Sequence, residues 1–478
     1  MSGIDTFNRR SVLIGACSTL LALRSAAMAP ERRRIKCPLM DSAKGRLLWN
    51  VADNGYTEEE YLLEGFADIY ESVSMADALD TNTRDNVADQ AHRAFPLKRL
   101  AAAKPYVTRL VVYRPTAAAR FSGNVIVETT HPTGGGRNIV WSDINGFFMA
   151  HGDAYVAVQH PATLPGLAQA DSDRYGSLRA EHPSQLWGML ADAGRILRSA
   201  DGQRIMGGTP ARRLYMTGYS FTGVATATFA NYHHDKTRGP GGAPIFNGYM
   251  PMANAMYVRP LDVPVMRINT QSDFDSFGAL GNRAPDSDAA AGRFRHYEVA
   301  GASHVWAERP QAASAKPDGR PPIPPPAGQP HIDAPACLAA FPKGSLPNDF
   351  PLNLLLTRAF ENLYAWVDRD TPPPRGEHLQ VDAQGNTQLD ENGNGLGGVR
   401  LPEVSVPLAT YGVGKGGQCW LFGYRMPFDL EKRKALYGSR DQYALKVQAA
   451  AQQLVAGRWI QPQGADQLVR AAQASELF

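Results

Sequence analysis

Cysteine is scarce in this chain: four in 478 residues, at positions 17, 37, 337 and 419. No two form a C-x-x-C pair, which excludes a zinc ribbon and a thioredoxin-type redox site. No H-E-x-x-H helix occurs, and His233-His234-Asp235 has no third ligand at useful spacing, so it reads as a solvated helix end. Asp390 to Gly395 imitates the start of a calcium loop, but Leu401 stands where the closing glutamate belongs, leaving a solvated turn. Neither a metal nor a cofactor is expected. One-signed charge is also missing. The net charge is +3, and no basic stripe with interleaved aromatics follows Arg32-Arg33-Arg34, which excludes a nucleic-acid partner. The apolar run Val12 to Leu23 is too short for a bilayer and is followed by Arg24, so no stable membrane span is expected. No internal repeat is visible.

What is present begins with an export signal. Arg9-Arg10 precede that apolar run, and Ala27-Met28-Ala29 supplies a small-residue cleavage site. The paired arginines resemble the twin-arginine type, and the mature chain is expected to be periplasmic or secreted. Ile14 to Cys17 also looks like a lipid-attachment box, but it lies so close to the arginines that almost no apolar segment separates them. Removing the signal takes Cys17 with it. Cys37, Cys337 and Cys419 remain, so at most one disulfide can form within the chain.

Short apolar runs then recur: 106–113, 124–128, 154–158, 214–216, 263–268 and 294–299. Each is bounded by Gly, Pro or Asn, and helical patterns separate them, as at 144–149, 184–199 and 224–232. Continuous apolar runs of this length predict parallel strands buried on both faces, hence an α/β fold with a mostly parallel central sheet flanked by helices. After residue 304 the texture changes. Residues 309–350 are rich in Pro, Gly and Ala; 352–369 has apolar residues at helical spacing; 375–425 is turn-rich; and 430–477 is helical again.

Gly218-Tyr219-Ser220-Phe221-Thr222-Gly223 follows the strand 214–216 and precedes a small-residue helix. That is the context in which a nucleophile elbow presents serine on a sharp turn, although the second glycine is shifted one place and Thr222 stands where it is usual. A serine hydroxyl needs a base, and the base needs a carboxylate to hold its tautomer. Downstream, Asp273 follows the strand ending near 269, and His304 follows the strand 296–299. The order Ser, acid, His is that of the α/β-hydrolases, and three loops at strand C-terminal ends converge on one rim. Asp275 is the rival acid; Asp273 comes first after its strand. Ser303 also sits in a G-x-S, but no helix follows it and His304 is its immediate neighbour. For an oxyanion hole, the backbone N–H of Phe221 is one donor, and the loop 129–134 supplies Thr130 or His131 as the other, because Pro132 has no N–H.

With these residues placed, the chain resembles a bacterial branch of the α/β-hydrolase superfamily, the α/β-hydrolase-domain proteins and exported carboxylesterases. The resemblance rests on Val125 to Glu128, Arg174 to Leu178, Tyr215 to Ser220 with the shifted glycine, Phe294 to His304, Gly397 to Pro402 and Cys419 to Gly423. It implies hydrolysis of carboxylic esters through Ser220, His304 and Asp273. It also implies a disulfide between Cys337 and Cys419, which recur at matching places in the family's late blocks, with Cys37 the free thiol.

The chain therefore divides into an export signal (1–29), a β-rich N-terminal segment joining the sheet (30–120), an α/β-hydrolase core with the triad (121–308), and a long C-terminal cap-like extension (309–478). More than a third of the chain follows His304, which is where material for a cover over the site must come from. The expected activity is a serine carboxylesterase acting on a small-molecule ester. An amidase or acyltransferase with the same triad, or a catalytically silent binding protein of the same fold, are the alternatives.

Overall fold

A computed structural model describes residues 34–36, 51–71, 97–132, 137–254, 256–277, 283–306, 334–414 and 419–477. The export signal, with Arg9, Arg10 and Ala29, and the Pro-rich run 321–326 lie outside the described residues, as do Cys17 and Cys37.

Nine strands form one sheet: β1 (Arg34–Lys36), β2 (Tyr56–Tyr70), β3 (Arg99–Pro115), β4 (Asn124–Thr129), β5 (Ala154–Val158), β6 (Arg213–Tyr219), β7 (Gly248–Met252), β8 (Val265–Thr270) and β9 (Phe294–Val299). Their order is β1-β2-β3-β5-β4-β6-β7-β8-β9. The run from β5 to β9 is parallel, and β3 joins it antiparallel at β5. The parallel strands β4, β5, β7, β8 and β9 are buried at every residue, because helices cover both faces and water reaches neither. Successive residues nevertheless alternate between two cores. Ile126, Tyr155 and Met266 enter a core with the helices α1 (Ile139–His151) and α5 (Leu352–Arg369). Val125, Val127, Val156 and Val265 enter the opposite core with α2 (Leu186–Leu197) and α3 (Phe221–Thr228).

The chain steps one way along the sheet from β4 to β5 and the other way from β6 to β7. Adjacent strands whose connections diverge leave a crevice at their carboxyl ends, where open α/β sheets take ligands. Here the crevice lies between β4 and β6, bounded by the loops that carry Thr130 and Ser220. Asp273 follows β8 in the short helix α4 (Gln271–Phe277).

Helix α5 has the expected bounds. Leu352, Leu355, Leu356, Phe360 and Leu363 are buried along one stripe, with Phe360 edge-on to Phe148 at 5.0 Å between centroids. Beyond it, β10 (Leu346–Pro347), β11 (Ala409–Val413) and β12 (Gly423–Pro427) form a small sheet in the order β10-β12-β11. Three helices close the chain: α6 (Leu430–Tyr437), α7 (Arg440–Ala456) and α8 (Pro462–Gln473). Ala444, Val447, Ala451 and Leu468 from α7 and α8 belong to the same hydrophobic cluster as α5 and the strands, so the C-terminal region shares the core of the sheet. Among the described residues no helix is long and apolar enough to cross a membrane.

Three local expectations are corrected. Strand β7 was missed because Pro251 reads as a breaker; it pairs with Gly218 of β6 inside the sheet. His233 and His234 are buried, not solvated. Helix α3 runs into a π-helical turn, Phe229–His233, and His234 pairs with Asp262 at 2.7 Å and with the Tyr249 hydroxyl at 2.9 Å. The turn Asp390 to Gly395 is packed and not simply solvated: Asn394 is buried, donates to Ala409 O at 3.2 Å and accepts from Tyr411 N at 2.7 Å.

Candidate active site

Ser220 directly follows β6 with φ 61 and ψ −126, a conformation that L-residues rarely adopt. Such a backbone costs about 1–3 kcal/mol and persists only where its surroundings hold it. Ser220 N donates to Met252 O at 3.1 Å, and Val224 N donates to Ser220 O at 2.9 Å. The glycines explain the shifted motif. A Cβ on Gly218 would stand 2.0 Å from Thr222 O, and one on Gly223 would stand 2.1 Å from Met252 O at the end of β7. Position 222 lacks that constraint and carries a useful side chain instead. Thr222 Oγ1 accepts from Tyr219 N at 2.8 Å and lies 2.7 Å from Glu128 Oε1. The threonine thus ties the elbow to the buried carboxyl of β4.

His304 and Asp273 meet directly, with Nδ1 to Oδ1 at 2.7 Å and both side chains buried. The other oxygen, Oδ2, accepts from Thr270 N at 3.0 Å and from the Thr270 hydroxyl at 2.6 Å, so the carboxylate is fixed at both ends. His304 N donates to Ser272 Oγ at 2.7 Å, and Gly301 N donates to Gln271 Oε1 at 2.8 Å, stitching the acid loop to the histidine loop. Tyr219 joins this pair to the elbow: its hydroxyl donates to His304 O at 2.8 Å, and the two rings lie 5.1 Å apart. Asp275 is turned elsewhere, accepting from Thr387 and Gln271. Ser303 Oγ donates to Val305 O at 2.6 Å.

Phe221 opens α3, so its amide is among the first-turn N–H groups that a helix cannot satisfy itself. On the β4 side, Thr130 N donates to Val158 O at 2.8 Å and His131 N donates to Arg137 O at 2.7 Å. Both proposed second donors are therefore engaged in this conformation; residues 133–136 of the same loop lie outside the described residues. His131 and His160 flank the exposed Phe221 ring edge-on, at 5.8 and 5.7 Å. His160 is driven neutral by burial, with its pKa pushed down to about 4, and its Nδ1 accepts from Ala162 N at 3.1 Å.

The C-terminal region forms a wall beside the histidine. Cys337 and Cys419 are joined, with S–S at 2.02 Å. The short helix Cys419–Leu421 sets Trp420 edge-on to His304 at 4.9 Å and to Phe277 at 4.7 Å. Val305 N donates to Leu421 O at 2.8 Å, and Ala300 N donates to Val399 O at 3.1 Å. A Cβ on Gly423 would press on Ser303 at 2.8 Å. The late sequence blocks around Gly398 and Cys419 are thus the surfaces that close on the histidine loop.

Sequence reading missed two contributors. Glu128 is fully buried, accepting from Thr222, Tyr155 and Val140 N; loss of solvation pushes its pKa up to about 7. A carboxyl in an otherwise apolar strand was the available signal. Tyr219 was visible as a neighbour of Ser220 but not as a tether. Arg174 and Tyr175, quoted in the resemblance, grip Glu60 of β2 together with Arg109, a scaffold role.

Residues 27–470 match the model of a family described as alpha/beta hydrolase domain. No curated protein matches the chain. Among solved structures, it is similar to a highly thermostable carboxyl esterase from Bacillus coagulans in complex with glycerol, at 17% identity and TM-score 0.20. That match covers 30% of this chain and 39% of the esterase. It is also similar to a protein from Klebsiella pneumoniae named as an expected dienelactone hydrolase, at 13% identity and TM-score 0.24, covering 50% of this chain and 85% of the other.

Proposed function

The chain belongs to the alpha/beta hydrolase domain family, and from that premise we propose that it is a serine hydrolase of carboxylic esters working through an acyl-enzyme. The observation that carries the reading is the buried Asp273–His304 pair at 2.7 Å, tethered through Tyr219 to a serine on a strained turn. Asp273 holds the His304 Nδ1 proton, which leaves Nε2 as the basic nitrogen. Ser220 Oγ attacks the ester carbonyl as His304 takes its proton. The Phe221 amide holds the developing oxyanion, at a site where such a donor acts in low dielectric, and Thr130 or His131 would have to leave its present backbone partner to add a second. His304 returns the proton to the leaving alcohol, and a water activated by the same imidazole releases the acid.

The exposed Phe221 ring and Trp420, beside His304, supply apolar contact for the groups flanking the ester. In this reading the post-histidine region is the cover that sets substrate choice, supported by Trp420 beside His304 and by the neighbouring Cys337–Cys419 disulfide. The protein acts outside the cytoplasm: the paired arginines, apolar run and Ala27-Met28-Ala29 support export, and the Cys337–Cys419 bond suits an oxidising compartment. Replacing Arg9 and Arg10 by Lys should hold the protein in the cytoplasm, and export that survived the change would contradict the twin-arginine route.

Turnover of a panel of activated esters, amides and thioesters, with Ser220→Ala as control, tests the reaction class. Ester hydrolysis lost in the variant is the expected result. Preference for amides, or transfer to an added alcohol in place of hydrolysis, would move the reading to an amidase or acyltransferase. No turnover across the panel would favour a silent binding protein.

A further inference from the structure

Away from the triad, at the β9 end of the large sheet, a second group of chemistry-bearing side chains converges. His296 and Glu298 stand two residues apart on β9, so both project to one face of the strand. His378, from the turn-rich segment that follows α5, folds back over that face, and one donor atom from each residue lies within 4.8 Å of the others. His378 Nδ1 is 3.4 Å and His296 Nδ1 3.9 Å from Glu298 Oε1. The histidine rings are 5.3 Å apart.

His296 is anomalous. It is fully buried, yet neither ring nitrogen has a hydrogen-bond partner among the described residues. Buried polar nitrogens are nearly always paired, and each exception asks for a bound water, an ion or a functional reason. His378 Nδ1 reaches Glu298 Oε1 at 3.4 Å, a long contact for an ion pair. The glutamate is poised as a carboxylate. Arg283 reaches both its oxygens at 2.8 and 2.6 Å, and Leu379 N donates to it at 2.8 Å.

We propose that His296, Glu298 and His378 form a binding site for one divalent ion of the zinc type, which clips the segment around His378 to the edge strand. Zinc takes imidazole nitrogen and carboxylate oxygen at about 2.0–2.2 Å, which sets tetrahedral donors about 3.3 Å apart. The His378–Glu298 spacing of 3.4 Å is close to that value, and the His296–Glu298 spacing of 3.9 Å has to shorten when the ion binds. His378 is partly exposed, which gives an ion a way in.

The surrounding charge selects the ion. Arg283 shares the glutamate, and Arg267 lies opposite His296 in the β8–β9 register, so two guanidinium groups oppose any cation held by charge alone. Hard ions such as Mg²⁺ and Ca²⁺ require several oxygen ligands and find one carboxylate here. An ion that bonds well to imidazole tolerates the setting. This site is independent of the hydrolase reading, since none of its residues contacts Ser220, His304 or Asp273 in any described hydrogen bond or ion pair.

The test uses the purified full chain, first stripped by a chelator and dialysed. Isothermal titration with ZnCl2, checked by elemental analysis after gel filtration, should give one equivalent per chain. MgCl2 and CaCl2 should give none. Co²⁺ loading should produce the visible absorption of a four-coordinate nitrogen–oxygen site. His378→Ala, at a partly exposed position, should weaken zinc binding at least about tenfold while leaving the protein folded by circular dichroism; His296→Gln should do the same. Zinc uptake that is substoichiometric, or that is unchanged in His378→Ala, would overturn the proposal.

Discussion

The two sides of the candidate site's rim are held by different means. On the elbow side, Ser220 is fixed by the glycines at 218 and 223, by Thr222 two residues on, and by the adjacent strand end at Met252. On the wall side, Trp420 reaches His304 from more than a hundred residues downstream, positioned by a disulfide to Cys337, the Val305–Leu421 hydrogen bond and the Gly423–Ser303 contact. The first arrangement is written into a few consecutive residues and one neighbouring strand. The second exists only once the whole C-terminal region has packed. Chemistry should therefore depend steeply on the first side, and substrate choice on the second.

The largest effect should come from Ser220→Ala or His304→Ala. Each is expected to lower kcat/KM for a good ester substrate by about 10,000-fold or more, with the circular dichroism spectrum unchanged. A residual rate within tenfold of the parent would break the distinction between the two sides. Next is Asp273→Asn, expected to cost about 1,000- to 10,000-fold by mis-setting the His304 tautomer. Asp275→Asn, whose carboxylate serves Thr387 and Gln271, should cost less than about tenfold. The reverse ranking would reassign the acid.

On the wall side the expected effects are smaller and of a different kind. Trp420→Ala should lower kcat/KM for a bulky apolar ester by about 10-fold while changing an acetate ester little, the scale of lost apolar contact in a binding pocket. Replacing both Cys337 and Cys419 by Ser should shift the preference in the same direction, because it frees the short helix that carries Trp420. Equal losses for both esters would show that the wall supports the chemistry itself.

This division also explains what could be read in advance. Buried parallel strands leave continuous apolar runs, so β4, β5 and β9 appeared with nearly their final bounds, and the alternation of α5 with the sheet was legible from Leu352 to Leu363. The elbow and the order of Asp273 and His304 were legible because each follows a strand directly. Strand β7 was hidden by Pro251. The inward turn of His233 and His234 was hidden by a π-helical turn that no local propensity announces. The Glu128–Thr222 tie joins residues of two strands, and only pairing in space reveals it.

That tie yields the smallest prediction. Burial raises the Glu128 pKa from 4.5 to about 7 in the folded protein. A carboxyl with a raised folded pKa contributes stability while protonated in both states, below about 4.5, and loses that contribution as pH climbs to about 7. The loss amounts to at most about 3 kcal/mol. Glu128→Gln stays neutral throughout, so its Tm should fall less than the parent's between pH 4.5 and 8, and differential scanning calorimetry of the pair would show it. Parallel Tm curves would mean that Glu128 titrates alike in the folded and unfolded chain, with no shift from burial.

The most direct test of the account is covalent. A fluorophosphonate probe should label the intact protein once, and peptide mass spectrometry should place the label on Ser220, with labelling slowed by orders of magnitude in His304→Ala. Label on Ser177 or Ser303, or labelling of Ser220 at an undiminished rate without His304, would contradict the assignment of this rim as a serine hydrolase site.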